Sequence, residues 1–192
     1  MKAIIIHGTK GSPQGNWFPW LAGQLQTQGF DVQVPHMPTP DGQNLQNWLA
    51  AFDRIRLDQN TILIGHSMGA GFILRLLEHG GPICGAILVA PFMAALGLPE
   101  YDVLNKSFVE GPVDWQKIKS NSREFRVIAG DDDPYVPFMA SKQVADGLGC
   151  PLTVIPGGKH LNAESGYTEF PILRDMVLDL AKAEKPAYVK QA

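Results

Sequence analysis

The segment from Thr61 to Ala70 constrains the fold of this chain more than any other. Residues 61–64 are β-branched or apolar and predict a buried strand, which ends at Gly65. A helix rich in small residues follows Ser67. The pattern Gly-x-Ser-x-Gly between a strand and a helix is typical of a nucleophile elbow, a strained turn that presents a serine hydroxyl above the edge of a sheet. An ordinary strand-to-helix turn packed by small residues has a similar sequence. The residues at the other strand ends must therefore distinguish a nucleophile elbow from an ordinary turn.

Strands and helices alternate along the whole chain. Continuous apolar runs predict strands at 2–6, 32–34, 61–64, 83–89, 125–129 and 152–155, with helical patterns between them. Such strands are typical of a parallel sheet with helices on both faces. We therefore predict one α/β domain over 1–192, with six parallel strands in the order 2-1-3-4-5-6 and no cap domain. The last helix is expected at about 168–183, residues 185–192 as a tail, and the connection 90–113, which has no clear period, as a candidate lid.

Composition limits the partners of the protein. The chain of 192 residues has a net charge of −3 and no basic run, which argues against nucleic acid or an anionic membrane as the main partner. Its two cysteines, Cys84 and Cys150, form neither a metal-ligand pattern nor a disulfide framework. The apolar run near the N-terminus is too short for a signal peptide or a membrane span, so we expect a cytoplasmic protein.

Three kinds of reactive side chain follow predicted strands. Ser67 follows the third strand, aspartates at 131–133 follow the fifth, and His160 follows the sixth. The carboxyl ends of parallel strands meet at one edge of a sheet, so we expect these groups to lie together. A serine hydroxyl needs a base, a histidine titrates near working pH, and a carboxylate orients that histidine. The pattern predicts a triad in which any of the three aspartates can be the acid and the other two form a solvated acidic turn.

Backbone amides near Ser67 are expected to stabilise the negative charge that develops during acyl transfer. We predict one donor at Met68 and the other at Thr9, in the Gly-rich loop after the first strand, with Lys10 as the alternative to Thr9. An acyl pocket is expected to be lined by aromatic residues near these loops, namely Trp17, Phe92 and Phe138.

Seven motifs occur together along the chain: His7-Gly8, Ser12-Pro13, Trp17-Phe18-Pro19-Trp20-Leu21, Met37-Pro38, Gly65-His66-Ser67-Met68-Gly69-Ala70, Asp132-Asp133-Pro134-Tyr135-Val136-Pro137-Phe138 and Gly157-Gly158-Lys159-His160. With them the chain resembles the small, cap-less α/β-hydrolases similar to retinoblastoma-binding protein nine and the bacterial YdeN proteins. The resemblance implies Ser67 as nucleophile, His160 as base and Asp133, directly before Pro134, as acid. One departure is Lys159, which stands between Gly158 and His160 where relatives often have Gly-His directly.

The hypothesis that follows is hydrolysis of a small ester, thioester or amide through an acyl-enzyme on Ser67. Such a reaction needs neither a cofactor nor a metal, and its class is that of the carboxylesterases (EC 3.1.1). One alternative is a protein-interaction module on a hydrolase fold, against which the intact Ser, Asp and His positions argue. Another is an acyltransferase that passes the acyl group to an acceptor other than water.

Overall fold

The computed structural model describes residues 1–182, and its centre is a parallel sheet in the order β2-β1-β3-β4-β5-β6. The strands are β1 (Lys2–Ile6), β2 (Asp31–Gln33), β3 (Thr61–His66), β4 (Gly85–Val89), β5 (Phe125–Gly130) and β6 (Leu152–Ile155). The helices are α1 (Phe18–Thr27), α2 (Leu45–Phe52), α3 (Met68–Leu77), α4 (Pro99–Val109), α5 (Trp115–Ser120), α6 (Phe138–Leu148) and α7 (Pro171–Lys182). The predicted α/β fold and strand order are confirmed, and the tail predicted at 185–192 lies outside the described residues.

Two of the predicted elements begin later than expected. The fourth strand starts at Gly85 instead of residue 83, because Ile83 forms only an isolated bridge with Ser122 beyond the end of the ladder. The last helix starts at Pro171 instead of residue 168. Proline suits the first turn of a helix, where its missing N–H is not needed.

The four inner strands of the sheet are buried on both faces. On β1, Ile4 and Ile6 belong to the apolar cluster on one face, Ala3 and Ile5 belong to the cluster on the other, and all four are fully buried. Helices α1 and α7 cover the second face, and the remaining helices cover the first. Each buried isoleucine or leucine contributes about 1.5–3 kcal/mol to stability, so these two clusters hold the layers together. Among residues 1–182, no helix has the length and apolar character that crossing a membrane requires.

The connection 90–113, in which the sequence shows no clear period, contains helix α4. Pro99 opens the helix and acidic side chains occupy its first turn, a favourable arrangement at a helix N-terminus. Phe108 is fully buried, and its ring lies 4.9 Å from that of Trp48. The buried Arg75 donates to the carbonyl oxygens of Phe108 and Glu110 over 2.7 and 3.0 Å. The C-terminal half of the segment is therefore anchored to the core.

Candidate active site

Ser67 lies at the sharp turn between β3 and α3. Its backbone has φ 56° and ψ −125°, a conformation that costs a non-glycine residue about 1–3 kcal/mol. The Ser67 amide donates to the carbonyl oxygen of Val89 at the end of β4 over 2.8 Å. The Ser67 carbonyl oxygen accepts from the Ala70 amide over 2.9 Å in the first turn of the helix. The turn thus has the strained backbone expected of a nucleophile elbow.

The glycines around Ser67 are required by close backbone approach. A Cβ atom on Gly65 would lie 2.6 Å from the Ala70 nitrogen. One on Gly69 would collide with the carbonyl oxygens of Ile6 and His7, the latter at 2.6 Å. Real Cβ atoms essentially never approach other atoms this closely, so the helix can pack against the strand ends only with glycine at these positions.

His160 and Asp133 form a buried hydrogen-bonded pair. Nδ1 of His160 donates to Oδ2 of Asp133 over 2.7 Å. The other carboxylate oxygen accepts from the amides of Tyr135 and Val136 over 2.8 and 3.0 Å. Burial acts to raise the pKa of Asp133, but the bonds from His160 and the two amides outweigh it and hold the pKa below its usual value. Asp133 is therefore a charged acceptor that leaves Nε2 of His160 available as a base.

The other two aspartates hold the loop that carries His160. Oδ1 of Asp131 accepts from the Gly157 amide over 2.8 Å, and Oδ1 of Asp132 accepts from the Lys159 amide over 2.7 Å. Both side chains are exposed, as expected of a solvated acidic turn, and in addition each accepts a backbone hydrogen bond. Each aspartate binds a different point of one loop, because the ends of β5 and β6 are neighbours in the sheet.

The additional residue before His160 is accommodated by a left-handed backbone. Lys159 has φ 48°, and its amide is the donor to Asp132. The loop packs so closely on the end of β5 that a Cβ atom on Gly130 would lie 2.7 Å from the Lys159 nitrogen. The departure from the Gly-His sequence therefore coexists with the His160–Asp133 bond.

His66 supports the backbone of His160 from beneath. Burial, together with repulsion from His160, lowers the pKa of His66 to about 3, so its imidazole is neutral at physiological pH. Its Nε2 atom lies 2.9 Å from the carbonyl oxygen of His160. Because a carbonyl can only accept, Nε2 carries the proton and donates. The centres of the two rings lie 4.7 Å apart, so His66 contacts both the backbone and the ring of His160 and restrains their position.

The loop after β1 is shaped by His7. Its Nε2 atom accepts from the Met37 amide over 3.0 Å, which leaves Nδ1 to donate to the Gly8 carbonyl oxygen over 2.9 Å. Burial lowers the pKa of His7 and favours this neutral form. The Lys10 amide donates to Oγ1 of Thr39 over 2.7 Å. Lys10, the alternative donor to an oxyanion, is therefore excluded by its existing bond.

The backbone amides of Thr9 and Met68 are both free to act as the predicted oxyanion donors, as far as residues 1–182 show. Within residues 1–182, no backbone or side-chain acceptor is bonded to either amide. Met68 is the first residue of α3, where an N–H has no partner within the helix. Thr9 lines the same cavity as Ser67, and its hydroxyl donates to Oδ1 of Asn105 over 2.5 Å. This bond holds the loop after β1 against α4.

A cavity of about 230 Å³ opens beside Ser67 and His160, and Phe92 lines it as predicted. Trp17 does not, which corrects the prediction. It is fully buried, and its Nε1 donates to the Leu161 carbonyl oxygen over 3.0 Å, so it supports the His160 loop from the core. Phe138 also lies outside the lining, because the turn after Asp133 brings Val136 to the cavity and α6 begins beyond it.

Ser67 and His160 face the same cavity, but in the described part of the chain no hydrogen bond joins the Ser67 hydroxyl to the imidazole. Such bonds are often long before substrate binds and tighten in the complex. Residues 1–182 bring together no group of three or more His, Cys, Asp or Glu side chains suited to a metal ion.

Several polar residues of the cavity have no signal in the sequence that identifies them. Asn105 is buried, and its Oδ1 also accepts from Nε2 of Gln43 over 2.8 Å. The Tyr135 hydroxyl donates to Oε2 of Glu164 over 3.0 Å, and the Tyr135 ring lies 5.1 Å from that of His160. Only the position of Tyr135, within the aspartate motif, could have drawn attention to this group.

Comparison with known proteins agrees with this geometry. The family model described as serine hydrolase matches residues 3–179. YdeN of Bacillus subtilis (strain 168) is 36% identical over 181 residues, which cover 92% of this chain and 94% of YdeN. The serine hydrolase RBBP9 of Rattus norvegicus is 30% identical over 180 residues, covering 92% and 95%. The crystal structure of the ydeN gene product from B. subtilis matches with a TM-score of 0.87 and 35% identity, covering 93% of this chain and 97% of that one. The chain belongs to the serine hydrolase family.

Proposed function

We propose that this protein hydrolyses small carboxylic esters through an acyl-enzyme on Ser67. The observation that carries the proposal is the 2.7 Å bond between His160 and buried Asp133, beside a cavity that His160 shares with Ser67. The strained backbone of Ser67 supports its role as nucleophile, since strain of this kind gathers at functional sites. The cavity of about 230 Å³ is smaller than most drug-sized pockets, which favours a short acyl group.

In the first step, the Ser67 hydroxyl oxygen attacks the ester carbonyl carbon while Nε2 of His160 takes the hydroxyl proton. The former carbonyl oxygen becomes negative and accepts hydrogen bonds from the amides of Thr9 and Met68. Charged Asp133 stabilises the imidazolium through Nδ1. Removal of one such oxyanion donor typically lowers the rate by about 10²–10³.

The tetrahedral intermediate then collapses. His160 returns the proton to the alcohol oxygen, the bond between that oxygen and the carbonyl carbon breaks, and the acyl group stays on Ser67. A water molecule next attacks the acyl carbon while His160 takes a proton from it. Return of this proton to the Ser67 oxygen releases the carboxylic acid and restores the enzyme.

Hydrolysis of p-nitrophenyl acetate tests the proposal. We expect wild-type turnover, a lower rate with p-nitrophenyl octanoate, and a loss of about 10³-fold or more in Ser67→Ala. The matched control is Ser120→Ala, since Ser120 is exposed at the end of α5 and should leave the rate unchanged. Wild-type protein that hydrolyses neither ester would contradict the proposal and favour an interaction module. Transfer of the acetyl group to an added alcohol in preference to water would favour an acyltransferase.

A further inference from the structure

Two of the segments that line the cavity beside Ser67 differ chemically. Phe92, Leu96 and Leu98 come from the segment between β4 and α4 and are apolar. The loop after β6 contributes Asn162 and Glu164, both polar. An ester has two parts, the acyl group and the alcohol, so the two sets of residues can select them separately.

The chemistry of the reaction indicates that the polar residues contact the alcohol part of the ester. In the proposed function, on which this inference rests, His160 must deliver a proton to the alcohol oxygen, so the alcohol leaves on the side of His160. The Tyr135 ring lies 5.1 Å from the His160 ring, and the Tyr135 hydroxyl donates to Glu164 over 3.0 Å. Asn162 is two residues from His160 and lines the cavity. The alcohol is therefore released toward polar side chains.

The hydrogen-bonding capacity that remains in these side chains is mixed. Glu164 uses Oε2 for Tyr135, and within residues 1–182 its Oε1 has no donor. Oδ1 of Asn162 accepts from the amide and the hydroxyl of Ser165 over 3.1 and 2.8 Å. Oδ1 of Asn16 accepts from the Ala163 amide over 3.0 Å, and Asn16 also lines the cavity. Among residues 1–182, the side-chain nitrogens of Asn16 and Asn162 have no acceptor, so a carboxylate acceptor and two amide donors are left for a ligand.

This combination selects one class of ligand group. An ammonium group only donates and would leave both amides without an acceptor, whereas a carboxylate or phosphate only accepts and would be repelled by Glu164. Lys10 also lines the cavity, but its ammonium group is paired with Glu100 and does not offset the charge of Glu164. A hydroxyl group both donates and accepts. We propose that the substrate is a short-chain ester of a polyol, whose free hydroxyl groups bind Glu164, Asn16 and Asn162.

Two esters that differ only in those hydroxyl groups provide the test. Glycerol 1-acetate and n-propyl acetate share the acetyl group and a three-carbon alcohol. We expect kcat/KM to be at least about 10-fold higher for the glycerol ester, since hydrogen bonds to a charged group are stronger than those between neutral groups. In Glu164→Ala the ratio of the two kcat/KM values should fall toward one. Glu164→Gln keeps an acceptor oxygen and should retain part of the ratio.

The matched control is Glu169→Ala, which removes an exposed carboxylate that lies outside the cavity lining and should keep the wild-type ratio. A wild-type ratio near one, or a ratio that persists in Glu164→Ala, would overturn the polyol proposal while leaving ester hydrolysis intact. Faster hydrolysis of acetylcholine than of the glycerol ester would assign an ammonium group to Glu164 and also overturn it. Absence of hydrolysis with all three esters would overturn the proposed function itself.

Discussion

The backbone amide of Lys159 donates a hydrogen bond to Oδ1 of Asp132 over 2.7 Å, one residue before His160. Lys159 has a left-handed backbone, which few residues adopt without support. The Asp132 carboxylate therefore holds the His160 loop at the point where its backbone is least favourable. Asp132 is exposed and does not line the cavity beside Ser67, so we propose that it acts through His160 as a positioning residue.

We expect Asp132→Ala to lower kcat for p-nitrophenyl acetate by about 10-fold or more with little change in KM, because a small displacement of a catalytic group is costly. The free energy of unfolding should fall by only about 1 kcal/mol, the usual contribution of one hydrogen bond. Asp132→Asn keeps the acceptor oxygen and should restore most of kcat. Equal losses in the two variants would contradict a role through this bond.

Buried His66 makes stability depend on pH. Its pKa is about 3 in the folded protein, against an ordinary value of 6.5. Between these values the unfolded chain binds a proton at His66 and the folded chain does not, so the free energy of unfolding rises with pH. The stabilisation is complete above pH 6.5 and declines as the pH falls, by about 3 kcal/mol at pH 4. Urea unfolding across this range measures the slope.

The control for this pH dependence is His66→Gln. Its amide can donate to the His160 carbonyl oxygen but does not titrate, so the slope should become shallower. Part of the slope should remain, because burial also lowers the pKa of His7. Equal slopes in the wild type and the variant would contradict the assignment of the effect to His66.

Asp133→Asn should lower kcat for p-nitrophenyl acetate by up to about 10⁴-fold, since an amide does not hold the histidine tautomer or stabilise the imidazolium. Steady-state kinetics at pH 7 to 9 provide the measurement. Asp131→Asn is the matched control, because it retains the acceptor oxygen for the Gly157 amide and lies in the same turn. A greater loss of kcat in Asp131→Asn than in Asp133→Asn would contradict the assignment of Asp133 as the acid of the triad.

Two glycines in helices should respond oppositely to substitution by alanine. Gly23 is exposed in α1, and a Cβ atom there would meet nothing within 4 Å, so Gly23→Ala should stabilise the protein by about 0.5–1 kcal/mol. A Cβ atom on Gly69 would collide with backbone oxygens of Ile6 and His7, so Gly69→Ala should lower the melting temperature and the esterase rate. Thermal unfolding monitored by circular dichroism distinguishes the two, and a stable, active Gly69→Ala variant would contradict the close packing described.

Much of the fold could be predicted because the inner strands are largely apolar runs and helical patterns lie between the strands. The positions of Ser67 and His160 at strand ends follow from that pattern. Helix α4 was harder to predict from the sequence. Its buried positions include the polar side chain of Asn105, which interrupts the apolar periodicity of the helix. Its place is set by contacts with Trp48 and Arg75, which are distant in sequence.

The details of the candidate site depend on contacts between loops. The sequence alone does not show which of three adjacent aspartates is the acid of the triad. In the structure the loop after β6 distinguishes them, because Asp133 accepts from the His160 side chain and its two neighbours accept from backbone amides of that loop. Trp17 follows a site loop in the sequence, but its indole packs into the core. A residue's distance along the chain from a loop does not specify the direction of its side chain.

Identification of the residue that a fluorophosphonate probe modifies tests the central claim most directly. Mass spectrometry of proteolytic peptides should locate one adduct, on Ser67, in the native wild-type protein. Ser67→Ala should yield no adduct, and Asp133→Asn should react more slowly than the wild type. An adduct on any other serine, or labelling that survives in Ser67→Ala, would contradict the assignment of Ser67 as the nucleophile.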